Sequence, residues 1–182
     1  MMKRFTKVLS LVMAVVFAVS AFTITSEAKM TDAMQTKMQA HQRQLTYDEI
    51  RAIYPAFNYK EYAAMYPDLK EAFGEDEVAL YTHFVTCGIW EERQPNAVFN
   101  VDAYATLNYD LRAAFGDDIV SYYIYYASHQ WESGRVAPTL SNCLWRNLNV
   151  YSVYDFQKGT YDPVKGVAPI CNRAYHPGIN WP

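Results

Sequence analysis

The chain has little of what builds metal centres or disulfide scaffolds. Its 182 residues hold three cysteines and four histidines. No CxxC or HxxxH spacing occurs, so the common zinc patterns are excluded and no cofactor is expected. It also lacks a basic stripe. Sixteen Lys and Arg face nineteen Asp and Glu, for a formal charge of −3. That balance excludes nucleic acid and anionic membrane surfaces as natural partners. No second long apolar run follows the first, and no cysteine stands where a lipid anchor would be attached.

The first run is at the N-terminus. Lys3, Arg4 and Lys7 precede an almost wholly apolar stretch over residues 8–23, and Ser26-Glu27-Ala28 places small residues at −3 and −1. This is the pattern of a secretory signal peptide cut after Ala28. The competing reading is an uncleaved anchor, because the stretch is near the short limit for a membrane span. Cleavage would give a secreted, extracytoplasmic protein of one-domain size with no membrane span. Sixteen Tyr, nine Phe and four Trp supply apolar mass for a real core, which argues against disorder.

Residues 57–95 are written again from Phe99. The period is 42 residues, and thirteen positions are identical between 57–93 and 99–135. A period of this length points to one supersecondary unit stacked on its neighbour. Each copy reads as three short helices. Asn58 and Asn100 are caps for the first, proline or a polar residue opens the second, Gly74 and Gly116 end it, and Asp76 and Asp117 or Asp118 open the third. Gly88 is expected to end the third helix of the first copy.

Two shared polar positions are not explained by capping: Asp68 with Arg93, and Asp110 with Arg135. They read as structural ion pairs in which the arginine fork grips a carboxylate at the return of the chain. A ligand-binding arginine in each unit is the rival reading.

The frame Tyr66-Pro67-Asp68-Leu69, Ala72-Phe73-Gly74, His83-Phe84, Gly88, then Glu-x-Arg at 91–93 resembles a short α-helical repeat of exported bacterial proteins. The second copy keeps Asp110-Leu111, Phe115-Gly116 and Gly134-Arg135, but departs at Tyr125 and Gln130. The resemblance covers residues 57–138. It implies a helical fold and a cell-surface or cell-wall-associated location, and no chemistry.

Around these copies, the residues suggest a flexible or weakly helical leader over 29–45 and a short capping helix over 46–56, started by the capping box of Thr46 and Glu49. The repeats occupy 57–98 and 99–138. An irregular C-terminal segment spans 139–182, with room for one or two short strands between residues 147 and 156. A Cys143–Cys171 disulfide would close a loop of about 28 residues and add about 3 kcal/mol. Cys87 reads as a buried or half-buried thiol. The fold class is therefore mainly α: two tandem three-helix repeats with a C-terminal capping segment that a disulfide could close.

Acids at 75–77 and 117–118 sit at helix starts, where they serve the backbone rather than catalysis or calcium. Cys143 or Cys171 with His176 lacks any recognisable nucleophile motif. Four tyrosines in residues 122–126 cannot all face inward on a helix. Tyr122, Tyr125 or Tyr126 should thus be partly exposed and, with Trp131, form a candidate ligand or partner surface; the competing and favoured reading packs them against the C-terminal segment. The sequence points to a secreted, non-enzymatic interaction module of the bacterial envelope or extracellular space, with a protein or cell-wall polysaccharide as partner. The alternatives are carbohydrate or wall-polymer binding through the tyrosine-rich face, and an unrecognised hydrolase with its site in residues 139–182.

Overall fold

The computed structural model describes residues 6–10, 12, 32–130, 135, 136, 138–167 and 169. The protein is mainly α-helical, with no strand among the described residues. Helix α1 is Asp32–His41 and α2 is Tyr47–Ile53, followed by a 3-10 turn over Tyr54–Ala56. Then come α3 Tyr59–Met65, α4 Pro67–Phe73 and α5 Glu77–His83, which runs into a π turn over Phe84–Gly88. Helices α6 Val101–Leu107, α7 Tyr109–Phe115 and α8 Ile119–Ser128 follow, then α9 Leu140–Trp145 and a 3-10 turn over Val153–Asp155.

Local chemistry accounts for the boundaries. Thr46 and Glu49 form a reciprocal capping box at α2, satisfying two otherwise orphaned N–H groups. The Glu49 carboxyl is held down at about 2, chiefly by its hydrogen bond from Arg43. Asn58 caps α3, Asn100 caps α6 and Asp76 caps α5. Asp118 makes no side-chain cap; its carboxylate accepts from Ser121 Oγ at 2.6 Å instead. Helices α4 and α7 end alike, at Gly74 and Gly116, each with φ near +60°. Only glycine enters that region cheaply. Gly88 does not end a helix by such a turn. It sits in the π turn because a Cβ there would collide with the Tyr62 hydroxyl.

The core is aromatic and continuous across both copies. Phe57 packs against Tyr81 and Phe84, with centroids 4.9 and 5.3 Å apart. Phe99 packs against Tyr123 and stacks on Tyr126 at 3.9 Å. Phe84 meets Tyr123 edge-on at 5.6 Å, and the Tyr123 hydroxyl donates to the Arg93 carbonyl. Helix α8 also packs on α2 and the turn after it. The two halves therefore share one core, which favours a single cooperative unit.

Two expectations for the flanks are refined. Within the leader, residues 32–41 are a helix with Met34 buried, the helical one of its two readings. Lys37 contacts Asp155, His41 stacks on Tyr154 at 4.4 Å, and Gln42 reaches the Thr86 carbonyl. These contacts supply the order that its weak apolar period does not. The segment over 147–156 forms no strand, because the Val153 N–H is taken by side-chain carboxylates and Ser152 caps the 3-10 turn. It is a strap, with Val150, Val153, Tyr154 and Phe156 buried. Residues 6–10 and 12 are helical, and Val8, Leu9 and Val12 belong to the main core cluster in the full-length chain.

Candidate functional site

Both arginines reach the aspartates expected for them. Arg93, whose side chain is only 2 % exposed, places Nη2 3.1 Å from Asp68 Oδ2 and Nε 2.5 Å from Glu91 Oε2. Its guanidinium also lies 4.5 Å from the centre of the Tyr66 ring. The fork thus engages two carboxylates and an aromatic face in a buried setting. Arg135 grips Asp110 through both Nη atoms, at 3.2 and 2.8 Å. It also donates to Asn108 Oδ1 and lies over Tyr125. Asp110 is exposed here, and Arg135 holds its carboxyl below the usual range, hydrogen bonding first and charge second. The first pair is a buried clamp and the second a surface one. The copies differ beside the arginine: Tyr66 lies under the Arg93 fork where Asn108 accepts from Arg135.

The tyrosine run divides between core and surface. Tyr122 is fully buried, and its hydroxyl donates to the Gly116 carbonyl at 2.9 Å. Tyr125 and Tyr126 are half-buried, stacked on His129 and Phe99 respectively. Helix α8 is contacted by α2, α6 and α7, which cover Tyr122 and Tyr123 and leave Tyr125 and Tyr126 partly exposed. Trp131 lies outside the described residues. Among the described residues the exposed aromatics are Trp145 at 89 %, Tyr109 at 61 %, Tyr161 at 59 % and Tyr47 at 48 %. Tyr109 and Tyr161 meet edge-on at 6.1 Å.

Among the cysteines, Cys143 is buried in a small cluster with Ala103, Leu140 and Val150, its Sγ 3.9 Å from the Ala103 carbonyl. Cys171 and His176 lie outside the described residues, and no disulfide occurs among those described. Cys87 is half-buried beside Thr86, and burial pushes its thiol up. His83 is buried beside the Tyr62 hydroxyl at 3.2 Å; burial, then the Arg93 charge, brings it down to about 4.

The most unusual chemistry was not expected. Glu92, Asp102 and Asp155 are all buried and converge from three segments: the turn that follows Gly88 near the end of the first copy, α6, and the strap. The Val153 N–H donates to Glu92 Oε1 at 3.1 Å and to Asp102 Oδ1 at 2.8 Å. Ser152 Oγ donates to Glu92 Oε1 at 2.5 Å. Both carboxyls thus accept from one backbone amide. Asp102 Oδ2 has no hydrogen-bond partner, and a buried carboxyl oxygen in that position favours the protonated acid. Burial raises both, Glu92 to about 7 and Asp102 well above the carboxylate range, with the neighbouring charge of Glu92 adding to the latter. Lys37 supplies a cation at Asp155.

This cluster can hold a proton and fix a backbone amide. It is sealed from solvent, so it offers no face to a substrate. Among the described residues no group of three or more His, Cys, Asp or Glu is arranged to hold a metal ion, and Lys37 is the cation that meets the cluster, at Asp155. A signal for it lay in the sequence, where the copies differ. Glu92 stands opposite Gly134, and Asp102 opposite Lys60. Glu92 in fact adopts φ of 56°, a conformation glycine would hold without strain. Asp155 and Lys37 fall outside the repeat and gave no such signal. Among the described residues no helix is long and apolar enough to cross a membrane. No protein-family model, curated protein or solved structure matches the chain.

Proposed function

We propose that this chain is an exported, non-enzymatic interaction module of the bacterial envelope or extracellular space, built as two tandem three-helix repeats capped by its C-terminal segment. The observation that carries this reading is the spacing of the helices. Those starting at Tyr59, Pro67 and Glu77 are followed by others starting at Val101, Tyr109 and Ile119, each 42 residues later. A scaffold that repeats its helices and spends its shared polar residues on caps and clamps is suited to presenting a surface. The charged and apolar N-terminus with Ser26-Glu27-Ala28 supports export. The buried acids support a structural use of the chain's carboxyl chemistry, since they are sealed beneath the strap.

The partner surface on this reading is the apolar patch of Leu144, Trp145 and Leu148, all exposed at the end of α9. Exposed tryptophan is a frequent anchor for a protein partner. A second reading, wall-polysaccharide binding, is favoured by Tyr109 and Tyr161, whose rings could stack on sugars. A Cys143–Cys171 bridge would tie residues 170–182 to α9 beside that patch. Non-reducing against reducing electrophoresis tests the bridge. Unchanged mobility, with all three cysteines titrating as free thiols, would reject it.

Retention on solubilised envelope proteins and on purified cell wall tests the function. Retention by protein, lost in Trp145→Ala, is the expected result. Retention by wall alone, lost in Tyr109→Ala with Tyr161→Ala, would move the conclusion to the second reading. Retention by neither would refute both.

A further inference from the structure

We propose that Arg112, with the ring pair of Tyr109 and Tyr161 beside it, forms a surface site for an acidic saccharide, a sugar carrying a carboxylate or a phosphate. The proposal rests on the second reading above, which uses the same rings, and adds the group that selects the charge.

The arginine is the first observation. Among the described residues, Arg93, Arg135 and Arg43 are each paired with a carboxylate, and Arg51 and Arg146 are exposed. Arg112 is half-buried and has no hydrogen bond or ion pair there; its Nε is shielded from water without an acceptor. Its guanidinium lies over the Phe156 ring, 5.3 Å from the centre. An aromatic face offsets part of the cost of drawing a cation out of water, but it accepts no hydrogen bond in the plane of the fork. The two Nη atoms are not shielded as Nε is. The edge they form suits a carboxylate or phosphate bidentately.

The rings are the second. Tyr109 stands one helical turn before Arg112 on α7, on the same face. Tyr161 comes from the segment after the strap and meets Tyr109 edge-on, with both rings exposed. Sugar rings stack on aromatic faces of this kind. The Gly159 amide, bonded to the Ala113 carbonyl at 2.8 Å, holds that segment along the helix. Platform and cation are therefore in place before a ligand arrives.

The repeat is the third. The first copy has Pro67 opposite Tyr109 and an exposed Lys70 opposite Arg112. The shared scaffold thus needs neither the ring nor the fork, and both belong to the second copy alone. Exposed Lys158 adds a second cation on the turn that seats on Gly116. Exposed Asp162 acts on Arg112 through its charge, without an ion pair. Asp162 opposes an anion, which gives the proposal a variant that should gain affinity.

Titration calorimetry on the full chain at low salt tests this with hexagalacturonate against its methyl ester, and with a phosphorylated against a plain hexamannoside. The expected result is that at least one charged probe binds roughly tenfold or more tightly than its uncharged parent. Which probe shows the preference tells carboxylate from phosphate. Arg112→Gln should level the preference, Arg112→Lys should lose most of it, and Tyr161→Ala should weaken charged and uncharged probes alike. Asp162→Asn, an exposed change that leaves the fold alone, should tighten the charged probe several-fold. Equal binding of charged and uncharged probes would overturn the proposal and leave the second reading standing. Binding of no saccharide would overturn both. A hexaglutamate peptide binding as tightly as the charged sugar would also overturn it, as would Asp162→Asn weakening the charged probe.

Discussion

Replacing Gly74 and Gly116 by alanine, one at a time, separates the strain of a shared turn from the seating of the C-terminal segment. The two glycines occupy equivalent positions and share a backbone shape, with φ of 60° and 59° and ψ of −125° and −122°. A Cβ in that region costs about 1–3 kcal/mol at either site. The surroundings differ. A Cβ at 74 meets nothing within 4 Å, whereas one at 116 meets the Lys158 backbone nitrogen at 2.5 Å. Backbone cannot swing aside as a side chain does, so the segment must lift. That also breaks the 2.8 Å bond from the Gly159 amide to the Ala113 carbonyl, worth about 1 kcal/mol. Gly116→Ala should therefore be the more destabilising by about 2 kcal/mol, or roughly 4–8 °C in Tm for a chain of this size. Thermal and urea unfolding of both variants, run side by side, measures the difference. Equal losses within about 0.5 kcal/mol would refute the seating of residues 158–159 on α7.

The clamps, the buried tyrosine and the carboxyl pair give further expected outcomes. Arg93→Lys should cost about 2–3 kcal/mol in chemical denaturation, because lysine cannot serve Asp68 and Glu91 together from a buried position. Arg135→Lys should cost about 0.5 kcal/mol in the same assay, since its partner is exposed. Tyr122→Phe should cost about 1 kcal/mol by leaving the Gly116 carbonyl without its donor. For global stability against pH, Glu92 binds its proton more tightly folded than unfolded, so the folded state holds more protons between pH 4.5 and about 7. Its contribution is full below 4.5 and is lost as pH rises to 7. The stability of wild type relative to Glu92→Gln should fall by up to about 3 kcal/mol over that range. Glu49 has the opposite sign: its contribution is present above 4.5 and disappears as pH falls towards 2.

The helices were legible because their signals are local. A capping box at Thr46 and Glu49, asparagine caps at 58 and 100, and glycine after Phe73 and Phe115 are each settled within a single turn of chain. Asp68 with Arg93 and Asp110 with Arg135 were legible because duplication marked them twice. The leader was legible only as flexible or weakly helical, since α1 has hardly any apolar stripe, and its Lys37 and His41 meet groups far along the chain. Tyr122 was misplaced for a similar reason. Helical periodicity tells which residues share a face, but α8 is covered on more than one face, and only the packing of α2 and α7 reveals that. The buried acids needed three segments to converge. Sequence could mark Glu92 and Asp102 as departures from the repeat, but not bring Asp155 to them.

Whether the protein is an exported scaffold turns on what happens to residues 1–28, whose Val8, Leu9 and Val12 are buried in the full-length chain. Fractionation of producing cells, with intact-mass determination of the protein in each fraction, addresses this directly. An extracytoplasmic protein beginning at Lys29 is the expected result. A cytoplasmic protein that retains residues 1–28 would contradict it.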